Sequence, residues 1–297
     1  MSARPRLLVT GAGGMVGGYV PEVFRDYELI LTDVVPGLIP LDVRDSLAVM
    51  AMARREKPDL ILHLAAATDV DRCEQEPEEA FRSNAGGTQN IAAACLEKEI
   101  PMIYVSTAAV FWGDKPDPYV ENDTPKPANV YGRSKLAGEE IVASLLPRYA
   151  IVRAGWMIGG GERDKKFVGK LVRMMAEGKK HLKVVNDKWG SPTYAKDLLA
   201  GIERLIRRQS YGLYHMANEG WCSRYEIALQ IRELLRCPDV KIEPVSSDQF
   251  PLPAPRGRSE AIWNKQLELL GLPPQRAWQE AIREYLEKEL LDERAGV

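Results

Sequence analysis

Apolar residues in this chain gather in short unbroken runs, and between the runs they recur at helical spacing. Arg6-Leu7-Leu8-Val9-Thr10, Glu28-Leu29-Ile30-Leu31-Thr32-Asp33 and Asp59-Leu60-Ile61-Leu62-His63-Leu64-Ala65 are runs of this kind. Pro101-Met102-Ile103-Tyr104-Val105 and Tyr149-Ala150-Ile151-Val152-Arg153 continue the series. A strand covered on both faces of a parallel sheet needs apolar residues at every position rather than at alternate ones. The stretches between, roughly 46–57 and 78–98, have the length and spacing of helices. Strands alternating with helices in this order predict an α/β fold built on a doubly wound parallel sheet.

Beyond residue 153 the pieces are shorter. Helices are expected over about 165–177, 224–236 and 275–288, and strands over 182–185 and 212–217. Gly190-Ser191-Pro192-Thr193-Tyr194 reads as a turn leading into a helix. Pro251-Leu252-Pro253-Ala254-Pro255-Arg256 reads as a loop within ordered flanks rather than a linker. The predicted division is a main domain over 1–155, to which 195–217 returns, and a smaller C-terminal α/β lobe. That lobe comprises mainly 156–194 and 218–297.

Composition narrows the class of partner. The 297 residues, 45% hydrophobic and 28% charged, can bury a sizeable core in water. A net charge of −2 supplies no field to attract nucleic acid or an anionic membrane, so neither is expected as a partner. No apolar run nears the about 20 residues that span a bilayer, and the first strand begins too early for a signal peptide. Cys73, Cys95, Cys222 and Cys237 lack CxxC spacing and only three histidines accompany them. That argues against a metal site or a disulfide framework and predicts a reducing, cytoplasmic setting.

The chemistry collects at the ends of the runs. Gly11-Ala12-Gly13-Gly14-Met15-Val16-Gly17 follows the first strand in the spacing GxxGxxG and precedes a helix. In that context glycines let the backbone approach a pyrophosphate near a helix N-terminus. Asp33 ends the second strand about 20 residues on, where a carboxylate can hold an adenine-ribose hydroxyl. Its charge would repel a 2′-phosphate, so the expected cofactor is NAD(P)H with a lean towards NADH. Arg44 is the residue that could reverse that lean. Small residues Ala65, Ala66 and Ala67 would let a dinucleotide cross the strand ends, and Asn84 either points at it or is solvated. Ser106 and Thr107 close the fourth run, where hydroxyls face the ligand crevice. Tyr131 and Lys135 are four apart, hence on one helical face, and the lysine cation is expected to lower the phenol's proton affinity. The pair then serves as proton donor and acceptor beside a carbonyl or hydroxyl. His63 reads as a packed strand residue.

Thr10-Gly11-x-x-Gly14-x-x-Gly17, the Ser106-Thr107 strand end and Tyr131-x-x-x-Lys135 together resemble an extended short-chain dehydrogenase/reductase with a Rossmann-like fold. Thr68-x-Val70-Asp71-x-x-Glu74, Val130-Tyr131-Gly132-x-Ser134-Lys135, Arg153-x-x-Trp156, Gly190-x-Pro192-Thr193-Tyr194 and Tyr214-His215 narrow the resemblance to the dTDP-4-dehydrorhamnose reductase family. The resemblance implies NAD(P)H-dependent reduction of a nucleotide-linked 4-keto-6-deoxysugar by a monomer or homodimer. It implies Tyr131 as general acid, Lys135 as its activator and cofactor ligand, and Thr107 as a donor to substrate. Cofactor contacts are then expected from Gly11, Gly13, Gly14, Met15, Val16, Gly17, Asp33, Asp42, Val43, Ala65, Ala66, Ala67, Asn84 and Ser106. Substrate contacts are expected from Thr68, Val70, Thr107, Ala108, Trp156 and Arg256.

The chain departs from the family pattern in its substrate-facing set. Ala108-Ala109 follow Thr107 where Asp-Tyr is usual, Ala67 replaces a larger residue, and Arg256-Gly257-Arg258-Ser259-Glu260 stands for Arg-Pro-x-Asn-Ser. Either the pocket is roomier, or Trp189, Arg258 or Trp263 fills it. The two alanines disfavour a 4,6-dehydratase, which needs an Asp-Glu pair there. A sugar-nucleotide 4-epimerase that retains NAD is the enzyme alternative. A non-catalytic subunit resembling the regulatory one of methionine adenosyltransferase is the other.

Overall fold

The structure is a computed structural model and describes residues 4–161 and 164–291. Its centre is a seven-stranded parallel sheet of β1 (Arg6–Thr10), β2 (Glu28–Asp33), β3 (Ile39–Pro40), β4 (Leu60–His63), β5 (Met102–Thr107), β6 (Tyr149–Ala154) and β7 (Gly212–Met216). The spatial order is β7-β6-β5-β4-β1-β2-β3, so the chain winds outward in both directions from β1. Thr10 pairs with Thr32 on one side and with His63 on the other. The winding reverses between β1 and β4, and a crevice opens there beyond the carboxyl ends of the strands.

The continuous apolar runs have a direct cause. Leu7 and Val9 pack into one layer with Phe24, Leu62, Leu198 and Ile202, while Leu8 enters the opposite layer with Ile30, Met52, Ile91 and Val142. Alternate residues point to opposite faces of a strand, and both faces here are covered by helices.

Three elements differ from the expected ones. The helix over 78–98 is broken into Pro77–Phe81, a π-helical turn at Arg82–Gly86, and Gly87–Lys98. Asn84 sits in that turn. The helix after the glycine loop is only a 3-10 turn, Gly17–Tyr19, followed by Val20–Val23. Its dipole is therefore short. The turn before Ala195 contains two small strands, Trp189–Gly190 and Pro192–Tyr194.

The C-terminal segments pack around their own core, with Leu171, Leu182, Tyr194, Ile227, Ile242 and Tyr285 at its centre. Small strands knit it together: Pro192–Tyr194 pairs with Trp156–Ile158, and Trp189–Gly190 lies between Cys222–Ser223 and Ser259–Glu260. No described helix is long and apolar enough to cross a membrane.

Candidate active site

A cleft of about 1420 Å³ runs from the glycine loop, over the ends of β4 and β5, to the C-terminal segments. At its first end Gly11 has φ +71°, a backbone state other residues rarely adopt, and a Cβ there would stand 2.5 Å from the Ala65 nitrogen. Gly14 faces open space, with only the Gly11 carbonyl within 4 Å of where a Cβ would be. The loop is thus a bare backbone cradle that fits a pyrophosphate. With the following helix so short, the loop's own N–H groups rather than a macrodipole would have to hold such a charge.

Every residue of the expected cofactor set lines this cleft except Asn84. Asn84 is buried behind the wall: its Oδ1 accepts the Ala67 N–H at 2.7 Å and its Nδ2 donates to the Ala67 carbonyl at 3.0 Å and to Ser134 Oγ at 2.9 Å. It fixes the Ala65–Ala67 shelf instead of touching a ligand. The π turn is what swings its side chain inward.

Asp33 is at the cleft, but its carboxylate also organises the loop, accepting Gly13 N–H at 2.8 Å and Val34 N–H at 2.6 Å. Arg44 lies close by with its fork turned onto Asp42 and Glu79. That pairing, led by the hydrogen bond from Arg44, lowers the Asp42 carboxyl below its usual range.

The candidate reaction centre lies where β5 meets the helix Val130–Leu145. Asn129 caps that helix, accepting Gly132 N–H at 2.9 Å, and its amide donates to the Pro255 carbonyl of the facing loop at 3.0 Å. Tyr131, Lys135 and Thr107 all reach the cleft. Thr107 Oγ1 accepts the Ala109 N–H at 3.1 Å and shares the cleft wall with the Tyr131 phenol. Ser106 does not share this role. Its hydroxyl turns behind the strand and donates to Glu139 Oε1 at 2.5 Å. Of the two strand-end hydroxyls, one faces the cleft.

The expected lowering of Tyr131 by Lys135 is not what the side chains do here. Lys135 Nζ donates to the Val105 carbonyl at 2.9 Å and lies 4.1 Å over the Tyr104 ring. Burial pushes Tyr131 up to about 12, opposed by the nearby Thr107 hydroxyl and assisted by the charge of Glu260. Burial brings Lys135 down to about 7, with Glu139 acting to raise it. Tyr131 is therefore a neutral phenol at physiological pH. His63 is a packed strand residue, bonded to Thr10 at 2.6 Å and Thr88 at 3.1 Å, and burial keeps it neutral down to about 3.

The far end of the cleft carries the expected Thr68, Val70, Trp156 and Arg256. Arg256 donates to Asp71 Oδ1 at 3.0 Å, tying the proline-rich loop to the main sheet's side of the cleft. Ala108 is a correction: it is buried among Val110, Phe111, Tyr119 and Ile262, because the 3-10 turn after Thr107 rotates it away, and Ala109 takes the wall instead. Trp189 lines the cleft opposite, whereas Arg258 and Trp263 do not.

Trp156 is held flat from three sides. Its indole N–H donates to Glu260 Oε2 at 2.9 Å, and the Arg224 guanidinium lies 3.8 Å over its ring. Behind it Gly190 has no side chain, and a Cβ there would stand 2.3 Å from the ring.

Arg224, Glu260, Phe167 and Lys170 also line this end, and sequence reasoning assigned none of them a role. Arg224 had a legible signal. Ser223-x-x-Glu226 is a capping box that starts the helix Arg224–Leu234 and fixes Arg224 at its first position. Arg224 makes no hydrogen bond or ion pair among the described residues and feels the charge of Glu260.

Comparison with known proteins bears on this arrangement. The family described as RmlD substrate binding domain matches residues 5–291. A dTDP-4-dehydrorhamnose reductase of Mycobacterium tuberculosis is 38% identical over 285 residues, 93% of this chain and 91% of that protein. A dTDP-4-keto-6-deoxy-D-glucose reductase of Streptomyces niveus is 34% identical, covering 93% and 95%. The crystal structure of a Bacillus anthracis dTDP-4-dehydrorhamnose reductase in complex with NADP superposes with a TM-score of 0.90 at 33% identity, covering 96% and 100%.

Proposed function

The chain belongs to the RmlD substrate binding domain family, and on that footing we propose that it reduces the keto group of a dTDP-linked 4-keto-6-deoxysugar. It is an NAD(P)-dependent oxidoreductase. The observation that carries the reading is the convergence of Thr107, Tyr131 and Lys135 between a bare glycine cradle and a cation-lined far end of one cleft.

When bound, the nicotinamide supplies the hydride. The chain's own residues do the rest. Gly11, Gly13 and Gly14 would offer backbone to the pyrophosphate, and Asp33, which braces the loop through Gly13, would accept from the adenine ribose. Tyr131 hands its proton to the carbonyl oxygen as that oxygen gains charge, and Thr107 supplies a second donor to the same atom. Lys135, when protonated, offsets the phenolate left behind. Arg224, Lys166 and Lys170, which also line the far end, would hold the substrate's diphosphate, and Trp156 would form one side of the sugar pocket.

We assign the finer points on narrower grounds. NADH is favoured because the Asp33 carboxylate, at the end of β2 on the cleft, would repel a 2′-phosphate, and Arg44 is engaged by Asp42 and Glu79. The division of labour is a dinucleotide-binding part over 1–155 with 195–217, and a substrate lobe over 156–194 and 218–297. A monomer or homodimer in the cytoplasm is proposed, consistent with four free cysteines.

The test is a panel of nucleotide-linked 4-keto-6-deoxysugars assayed for oxidation of reduced cofactor. Turnover of a dTDP-linked member is expected. Tightly held NAD with net conversion of a 4-hydroxy sugar and no cofactor consumption would instead make it an epimerase.

A further inference from the structure

The carboxylates that line the cleft are mostly engaged. Asp33 holds the glycine loop, Asp42 pairs with Arg44, Asp71 pairs with Arg256, and Asp69 caps the helix Val70–Gln75. Glu260 is bonded through Oε2 alone, to the Trp156 indole, and Oε1 makes no hydrogen bond among the described residues. Asp69 and Asp71 also use one oxygen each, and the Asp248 carboxylate accepts none among those residues, so what sets Glu260 apart is its position. It is also the carboxylate whose charge reaches Tyr131, while on its other side it reaches Arg224. Its backbone is fixed, since Ser259–Glu260 pairs in parallel with Trp189–Gly190. A rigid, half-used acceptor thus sits between the reaction centre and the cationic end.

Charge balance decides what suits it. A bound diphosphate neutralises Arg224, the cation that otherwise faces Glu260. The carboxylate then loses that counter-charge on the side of the cleft where the sugar would lie, and a partly desolvated charge gains from a new partner. A neutral hydroxyl relieves this in part; an ammonium relieves it fully and makes the stronger, charge-assisted bond. In a 4-keto-6-deoxyhexose the carbons flanking the carbonyl are C5, which bears the ring oxygen and the methyl, and C3, which bears a polar substituent. Resting on the reductase reading above, we infer that Glu260 is a specificity-determining residue that receives a protonated amine at C3 of the sugar. The same ammonium would offset the Glu260 charge that opposes formation of the Tyr131 phenolate, so recognition and proton transfer are coupled.

The experiment compares kcat/KM for dTDP-linked 3-amino-, 3-acetamido- and 3-hydroxy-4-keto-6-deoxyhexoses in wild type and Glu260→Gln. Gln keeps an oxygen for the Trp156 indole, so the pocket wall is preserved while the charge is lost. Wild type should prefer the amino sugar over the hydroxy sugar by roughly 10–100-fold, the scale of a hydrogen bond to a charged group. Glu260→Gln should abolish most of that ratio, and the acetamido sugar, a donor without charge, should gain nothing. If Glu260 merely props Trp156, the variant lowers all three in proportion and the ratio stays, which overturns the inference. Trp156→Phe, which removes the indole N–H that Glu260 accepts, shows what loss of that contact alone does to the three substrates. A wild-type preference for the hydroxy sugar overturns it as well, leaving the reductase reading intact. Turnover of none of the three overturns both.

Discussion

Glu139 stands one helical turn beyond Lys135 and closes on Arg153 of β6, with Nε–Oε1 at 3.0 Å and Nη2–Oε2 at 2.6 Å. Tyr131, Lys135 and Glu139 therefore form one stripe at i, i+4 and i+8 of the same helix. The outer member faces the cleft, the middle one is buried, and the inner one anchors the stripe to the sheet through Arg153 and Ser106. Breaking such a buried pair from one side leaves its partner charged and alone. Glu139→Gln is expected to cost about 3–5 kcal/mol of stability. Urea unfolding measures it; a loss below about 1 kcal/mol would mean Arg153 finds another partner.

The same stripe sets a pH dependence. Burial brings Lys135 down to about 7, so its charge is present below that pH and lost above it. If the cation must be in place for the phenolate to form, kcat/KM falls on the alkaline side with a midpoint near 7. A flat profile from pH 6 to 9 would show that Lys135 need not be charged. Stability moves in the opposite sense. An unfolded lysine holds its proton to about 10.4, so the unfolded chain binds more protons between 7 and 10, and this residue's contribution grows with rising pH.

Tyr131→Phe removes the acid and keeps the ring. Turnover should fall by roughly 10²–10⁴ while cofactor affinity stays within a few-fold. Fluorescence titration of reduced cofactor and steady-state kinetics on one preparation separate the two effects. Near-wild-type turnover would take Tyr131 out of the mechanism.

Cofactor choice is expected to turn on Asp33 and on Arg44, whose fork is held by Asp42 and Glu79. NADH should be used at least as well as NADPH, and Asp33→Ala should shift the ratio of kcat/KM towards NADPH. Because Asp33 also accepts from Gly13, the same change should weaken both cofactors. A wild type that strongly prefers NADPH would mean that Arg44 leaves its carboxylates when the cofactor binds.

Gly190→Ala places a methyl 2.3 Å from the Trp156 ring, and the backbone of Trp189–Gly190 is pinned on both sides by pairing. The ring must yield. We expect a raised KM for the sugar nucleotide, an unchanged Kd for reduced cofactor, and a loss of Trp156 stacking on Arg224. Unchanged KM would show that Trp156 does not shape the sugar pocket.

What the amino-acid order determined by itself is local. Unbroken apolar runs can be satisfied only between two covered faces, so the parallel sheet was legible without any contact map. Gly11, Gly14 and Gly17 after a strand, and Tyr131 four residues before Lys135, are likewise relations between near neighbours. Tertiary structure decided the direction in which side chains at those positions point. Ser106 and Thr107 are adjacent, yet one is claimed by Glu139 from the helix behind and the other is left for the cleft. A π turn rather than a regular helix puts Asn84 behind Ala67. Glu260, Trp156 and Arg224 lie up to 104 positions apart in the chain, and no periodicity links them. They meet because Gly190 leaves room for an indole and because short strands set their register. The proton affinities followed from that assembly: burial, which depends on the whole fold, outweighed the Tyr131–Lys135 spacing that the sequence made visible.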